Sequence, residues 1–201
     1  DRPSNQLTYL PKPGETPDNT VVIAPRLPHL LLMLGDAGTG QCVQHVQFRG
    51  LTFAHAHWAT PAAGQSFPQA EINLGAAIAA VGARHITFED CAIRHVGEYG
   101  MGFGPGCRYN RVAGCELVDL GAGGIKIGSA LPGSWGDSLS APTDDESLVS
   151  HHTVEDCLIA HAGRLHSAGI GVWVGHSAHN RVRFNDVYDL YYSAFSMGWV
   201  W

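Results

Sequence analysis

Hydrophobic and polar residues alternate in short runs that recur along the chain, and each run predicts a β-strand. Four segments align with one another, and a fifth, weaker copy precedes them. The weaker copy begins at Gln44, and the others begin at Ile86, Asn110, His152 and Asn180. Equivalent apolar residues fall into two columns, Phe48, Phe88, Val112, Val154 and Val182, and then Phe53, Ile93, Leu117, Ile159 and Val187.

A further short strand follows each of the four aligned segments, as in the sequences Met101–Gly104 and Ile125–Gly128. The repeat has a period of 24 residues between Cys91 and Cys115, both of which occupy one column. Short strands, frequent glycine and a period of this size predict an all-β, right-handed parallel β-helix of the pectate-lyase type. A leucine-rich repeat has a similar period, but the chain lacks its dense leucine consensus.

The repeat divides the chain into two parts. Residues 1–42 contain many prolines and no repeat, so they predict a lead-in or cap-like segment, and 43–201 form the β-helix. Residues 58–75 and 129–150 interrupt the repeat, and we expect these insertions on the surface, bordering a binding site. The first and last residues both resemble the middle of a domain, so we expect a fragment of a longer chain.

Composition narrows the classes of partner. The 201 residues carry a net charge of -6 and include 25 glycines and five cysteines. This charge disfavours nucleic-acid binding, which depends on basic patches. No apolar run is long enough to span a membrane. Cys91, Cys115 and Cys157 share a column and predict inert core thiols, since no ligand spacing indicates a metal site.

Alternation along the second strand divides its residues between two faces. The inward set is predicted to be Ile125, Ile127, Ile170, Val172, Phe195 and Met197. Lys126 and Trp173 then face outward among glycines. Two interpretations remain open: a sugar-binding trough, in which Trp173 stacks on a pyranose ring and Lys126 bonds hydroxyls, or a floor on which a neighbouring loop packs.

A polar column follows the two apolar columns and consists of His55, His95, Asp119, His161 and Asp189. Glycosidases need two carboxyl groups. Asp119 and Asp189 lie two coils apart, or roughly 9 to 10 Å by strand spacing, at the upper edge of the range for inverting enzymes. Glu98, one coil from Asp119, is the alternative partner. The column could instead be a ladder of turn residues that cap backbone amides.

Other side chains on the same edge are candidates for substrate binding. We expect His161 and His166 to tune the carboxyl groups or to bind sugar. Tyr191 and Tyr192, together with Lys126 and Trp173, would hold the sugar.

Several strings in the chain resemble those of a known group of proteins. They are LTYLPKPGE, HVGEYGM, DLGAGGIKIG, GRLHSAGIGVWVG and HNRVRFNDVYDLYYSAFSMGW. The chain is similar, from about Leu7 to Trp201, to secreted bacterial right-handed parallel β-helix repeat proteins, and resembles glycoside hydrolase family 141, which contains α-L-fucosidases and xylanases. Ala194 stands where similar proteins usually have glycine.

The resemblance implies a glycosidase whose acidic catalytic residues lie on the face of the helix, with Asp119 carried over first and Asp189 second. It also implies an extracellular or periplasmic location and a polysaccharide or oligosaccharide as the partner.

Three functions remain open. The first is a glycoside hydrolase that uses carboxyl acid–base catalysis and no cofactor. The second is a non-catalytic carbohydrate-binding β-helix, which predicts stacked aromatic residues without a carboxyl pair. The third is a polysaccharide lyase or epimerase, which predicts a basic residue beside the sugar and often calcium, a cation that needs six to eight oxygen ligands.

Overall fold

A computed structural model describes residues 3–4, 6–65, 68–128 and 145–198 of the chain. The described residues form short strands and one turn of 3-10 helix, Gln69–Glu71. In chain order the strands are β1 (Leu31–Leu34), β2 (Val43–Gln44), β3 (Gln47–Arg49), β4 (Thr52–Ala56), β5 (Ala76–Val81), β6 (Ala83–Arg84), β7 (Thr87–Glu89), β8 (Ala92–Val96), β9 (Tyr99–Phe103), β10 (Arg111–Ala113), β11 (Glu116–Leu120), β12 (Ile125–Gly128), β13 (Val149–Ser150), β14 (Thr153–Glu155), β15 (Leu158–Ala160), β16 (Val172–Gly175), β17 (Ser177–Ala178), β18 (Arg181–Arg183), β19 (Asp186–Tyr188) and β20 (Phe195–Gly198).

The strands form three parallel sheets that run along the length of the molecule. The first sheet has the order β1-β5-β9-β12-β16-β20, the second β3-β7-β10-β14-β18 and the third β4-β8-β11-β15-β19. Two short pairs, β2 with β6 and β13 with β17, lie between the first and second sheets. Each coil therefore contributes one strand to each sheet, which confirms the predicted parallel β-helix. No helix within the described ranges is long and apolar enough to cross a membrane.

The register confirms the two apolar columns that the repeat predicts. Phe88 pairs with Phe48 and Val112, and the column continues through Val154 to Val182. The second column is likewise continuous from Phe53 to Val187. These columns and the inner residues of the first sheet form one buried core, in which Phe48 and Phe88 stack with ring centroids 4.8 Å apart.

The cysteine column continues the core at the junction of the second and third sheets. Cys91, Cys115 and Cys157 are free and buried, as the sequence predicts. Asn185 occupies the next position and joins the ladder through its side chain, which accepts from the Cys157 backbone N–H at 3.0 Å and donates to the Val154 carbonyl at 3.0 Å.

The boundaries of the predicted parts are refined at two places. Strand β1 comes from the segment 1–42 and pairs with β5, so the first sheet begins before the sequence boundary at residue 43. Most of the insertion at 129–150 lies outside the described residues. Within its described part, β13 pairs with β17.

Each coil turns sharply at corners where the backbone is left-handed. The polar column identified in the sequence occupies one of these corners, with φ of 68° at His55, 55° at His95, 57° at Asp119, 54° at His161 and 52° at Asp189. Short polar side chains enter this region more readily than β-branched ones. The backbone thus selects the residue types at the corner, which we call the corner column.

We expect Leu117→Ala to lower the free energy of unfolding by about 2 to 5 kcal/mol, because it removes a side chain from the middle of a core column. Leu117 is fully buried. Leu10→Ala, at a highly exposed position, should change stability by less than about 0.5 kcal/mol. Urea denaturation of both variants tests the register, and equal effects would contradict it.

Candidate active site

The corner column places histidine and aspartate next to each other in successive coils. His95 Nδ1 lies 2.7 Å from Asp119 Oδ2. Two coils further on, His161 hydrogen-bonds Asp189, and Arg164 forms an ion pair with the same carboxylate. The His55 and His95 rings stack with centroids 5.0 Å apart. The column therefore contains interacting side chains and is more than a set of independent turn caps.

The carboxylates of the corner column remain in contact with solvent. The side chains of Asp119 and Asp189 are 50% and 49% exposed. Hydrogen bonds from His161 and then Arg164 hold the pKa of Asp189 below its usual range, so this group is a carboxylate at neutral pH. The strand register places His161 between the two aspartates, and two strand spacings separate the aspartates by roughly 9 to 10 Å.

A cleft of about 300 Å³ opens beside the corner column, and we call it the corner cleft. Its walls include His57, Trp58, His95, Asp119, Arg164 and Leu165. Trp58 packs directly on Gly97, where an added Cβ would lie only 2.5 Å from the Trp58 Cβ. Trp58 was not among the residues predicted for the site, although an aromatic residue three positions after the corner residue His55 is a signal that could have identified it.

His166 lies behind the wall of the corner cleft and does not line it. The ring is fully buried, and it meets Trp58 edge to face with centroids 4.4 Å apart. Burial lowers the pKa of His166. The direct contact with sugar that the sequence predicts for His166 is therefore not available in this structure, and the residue supports Trp58 instead.

The two predicted tyrosines lie next to the last aspartate of the column. The guanidinium of Arg164 lies over the Tyr191 ring, 5.6 Å from its centroid, and donates to the Tyr191 hydroxyl at 3.4 Å. The Tyr192 hydroxyl accepts a hydrogen bond from Gln69 Nε2 at 3.0 Å. Both rings are exposed, so both are accessible to a ligand.

The predicted open trough on the first sheet is wrong, and the alternative of a packed loop is correct. Lys126 and Trp173 do face outward, but Lys126 is 2% exposed and Trp173 is fully buried. The segment 69–75 of the first insertion covers them, and we call it the covering segment. Lys126 Nζ donates to the backbone carbonyls of Ile72 at 2.7 Å and Leu74 at 2.9 Å.

Lys126 also lies between two aromatic rings, with Nζ 5.3 Å from the centroid of Tyr99 and 5.4 Å from that of Trp173. Burial lowers its pKa to about 7, and the negative charge of Glu98 opposes this shift. Two carbonyl acceptors and two ring faces favour the ammonium form. We therefore assign Lys126 a structural role as a cation that holds the covering segment.

Tyr99 and Ile170 complete the attachment of the covering segment. The Tyr99 hydroxyl donates to the Ala70 carbonyl at 2.6 Å and accepts from the Ile170 N–H at 3.1 Å. Ile170, predicted to face the core, packs instead against Trp173 and Ala70 outside the first sheet. Because β16 begins only at Val172, the inward–outward alternation does not extend back to residue 170.

Glu98 lines a separate cavity of about 330 Å³ on the first sheet, together with His29, Leu32, Leu34 and Gly75. Burial raises the pKa of Glu98, while the charges of His29 and Lys126 oppose the rise. Gly97, on which Trp58 packs, precedes Glu98 and lines the corner cleft. The structure therefore places Asp119 and Glu98 against different cavities and keeps Asp119 and Asp189 in one column.

Among the described residues, no group of three or more His, Cys, Asp and Glu side chains could hold a metal ion.

A solved glycoside hydrolase has the same fold. The structure described by that name superposes with a TM-score of 0.83 over 95% of this chain at 23% sequence identity. The chain spans 37% of the length of that protein. No family model and no curated protein matches the sequence. The likeness shows the fold.

We expect Tyr99→Phe to lower the free energy of unfolding by about 1 to 3 kcal/mol, because it leaves a buried carbonyl and a buried N–H without a partner. The Ile170 amide should also exchange with solvent faster. Tyr188→Phe, which alters an exposed side chain, is the matched control. Unchanged exchange at Ile170 would contradict the assigned attachment.

We expect Glu98→Gln to be more stable than the wild type at pH 7 and equally stable below about pH 4. Because burial raises the pKa of Glu98, folding favours its protonated form, and the wild type loses stability as pH rises from the ordinary carboxyl pKa through the raised value. Urea midpoints at several pH values measure the difference. Glu116→Gln, at an exposed carboxylate, should not reproduce this trend, and a pH-independent difference at Glu98 would refute it.

Proposed function

We propose that the protein hydrolyses glycosidic bonds of a polysaccharide or oligosaccharide, with Asp119 and Asp189 as the carboxyl pair. The observation that supports this proposal is that two solvent-exposed carboxylates lie in one column, two coils apart, and that the corner cleft is lined by Asp119 and by Arg164, the ion-pair partner of Asp189. Inverting glycosidases separate their carboxyl groups by about 6.5 to 9.5 Å to leave room for water. The separation of the two aspartates lies at the upper edge of that range.

The two aspartates take different roles because their surroundings differ. Asp189 is the base, since His161 and Arg164 keep it ionised. It takes a proton from a water molecule while the water oxygen attacks the anomeric carbon. Asp119, bonded to His95, gives a proton to the glycosidic oxygen as the bond to that carbon breaks. Trp58 and Tyr191 offer aromatic surface on which sugar rings stack.

Two similarities support the choice of substrate. The chain shares its fold with a solved glycoside hydrolase. Its motifs also resemble those of a group of secreted bacterial β-helix proteins, some of which belong to glycoside hydrolase family 141. We therefore propose a glycan substrate outside the cytoplasm. This acid–base mechanism uses side chains of the chain alone and needs neither calcium nor another cofactor.

Glu98 provides a second way to supply the acid. Its raised pKa keeps a proton on the carboxyl group under conditions in which Asp189 is ionised. In this arrangement the bond to be broken would lie at the cavity on the first sheet, away from Asp119, which lines the corner cleft.

We expect Asp119→Asn and Asp189→Asn each to lower kcat/KM by at least about a hundredfold, in keeping with the loss of a general acid or base. A panel of plant and microbial glycans identifies the substrate, and NMR of the first product shows whether the anomeric configuration inverts. Glu116→Gln, at an exposed carboxylate paired with Arg94, should retain full activity.

Other results would change the assignment. Loss of activity in Glu98→Gln but not in Asp119→Asn would assign the role of general acid to Glu98. Equal activity in the wild type and both aspartate variants would reject the proposed pair. Glycan binding without hydrolysis would favour a binding β-helix, and unsaturated products that absorb ultraviolet light would favour a lyase.

A further inference from the structure

A second corner of the helix carries an uninterrupted stack of exposed rings, which we call the ring column. Its members are His45, His85, Tyr109, His151 and His179, one from each of five coils. Adjacent centroids lie 4.7 to 5.1 Å apart. All five residues have left-handed backbone and are solvent-exposed. The proposed hydrolysis uses none of them.

Stacking accounts for the ring faces but leaves the ring edges open to solvent. Four of the five rings are imidazoles, whose edges carry nitrogen donors and acceptors. One nitrogen of His151 lies 2.9 Å from the Ser150 hydroxyl. The column therefore presents polar ring edges in a line, at the spacing of the coils.

Arginines supply positive charge beside the ring column. Two grooves border the part of the ring column from Tyr109 to His179. Arg108 lines one groove and Arg181 lines the other. Within the described part of the chain, the Arg181 guanidinium forms no ion pair, and Arg108 donates to the carbonyls of Leu148 and Asp145. Neither guanidinium is paired with a carboxylate within the described residues, although the net charge of the chain is -6.

One neighbouring cation is neutralised. Arg111, which lines the same groove as Arg181, forms an ion pair with Glu155 at 2.8 Å. His176 is the remaining titratable side chain that lines the grooves.

We propose that the ring column and its flanking arginines bind an acidic polysaccharide that lies along the helix axis. Carboxylate or sulfate groups of the glycan would meet the ring edges and the guanidinium groups of Arg108 and Arg181. An extended polymer fits better than a single anion, because each coil offers only one weak contact and several must act together. This inference does not depend on the proposed hydrolysis.

The test measures binding of polygalacturonate, a sulfated glycan and neutral dextran in one low-salt buffer. We expect both acidic polymers to bind and dextran not to bind to the column. His151→Gln combined with His179→Gln should weaken binding of the acidic polymers by about tenfold, and Arg181→Gln by about fivefold.

The control is His55→Gln, which removes a stacked imidazole from the other corner and should leave binding unchanged. We expect Arg181→Gln to fold normally, because the Arg181 side chain forms no ion pair within the described residues. Its effect on binding therefore cannot be attributed to misfolding. Equal binding by the variants and the wild type would overturn the proposal. So would binding of dextran as tight as that of the acidic glycans, or binding of duplex DNA as tight as theirs, which would indicate a nonspecific anion surface.

Discussion

The parallel in-register stacking of coils sets the neighbours of every side chain in this protein. Each residue lies one strand spacing, about 4.8 Å, from its counterparts in the coils before and after it. Stacking stabilises apolar residues, because each one packs against apolar counterparts in the neighbouring coils, as in the continuous core columns. Charged residues do not, because equal charges at this distance repel. The column from Asp119 through His161 to Asp189 meets this constraint by placing an imidazole between two carboxylates. The distance between the proposed catalytic aspartates is thus a consequence of the fold: two acids in one column are most readily accommodated two coils apart.

The covering segment shows how an insertion can bury the outer face of a sheet that would otherwise be exposed to solvent. On the outer face of the first sheet, Lys126 and Trp173 lie among glycines, so the surface around them is flat. Residues 69–75 pack over this surface. Backbone carbonyls of the segment accept hydrogen bonds from Lys126 and Tyr99, and its apolar side chains pack on Trp173 and Tyr99. What remains open is the corner cleft on one side and the cavity beside Glu98 on the other.

The parts of the structure that repeat could be predicted from the sequence, and the parts that do not repeat could not. Periodicity identified the core columns, the cysteine ladder and the corner column, because each is sampled in four or five coils. The path of residues 58–75 occurs once and has no period. The sequence alone therefore left open whether Lys126 was covered. It also predicted that His166 binds sugar, because the contact between His166 and Trp58 joins two segments that do not repeat. Strand β1 was missed for the same reason, since the leucines at 31–34 stand apart from the repeat.

The three corners of each coil have similar left-handed backbone but different chemistry. The corner between the second and third sheets carries Gly50, Asp90, Gly114, Asp156 and Phe184, and its glycines interrupt any column of side chains. The ring column is continuous but contains no carboxylate. It is therefore suited to binding and lacks the two carboxyl groups that a glycosidase needs. Only the corner column combines carboxylates with imidazoles, and Arg164 further separates the properties of Asp189 from those of Asp119. The backbone is similar at all three corners, so their different chemistry comes from the side chains at the left-handed positions. For the same reason, a fold shared with a glycoside hydrolase does not by itself imply a shared function.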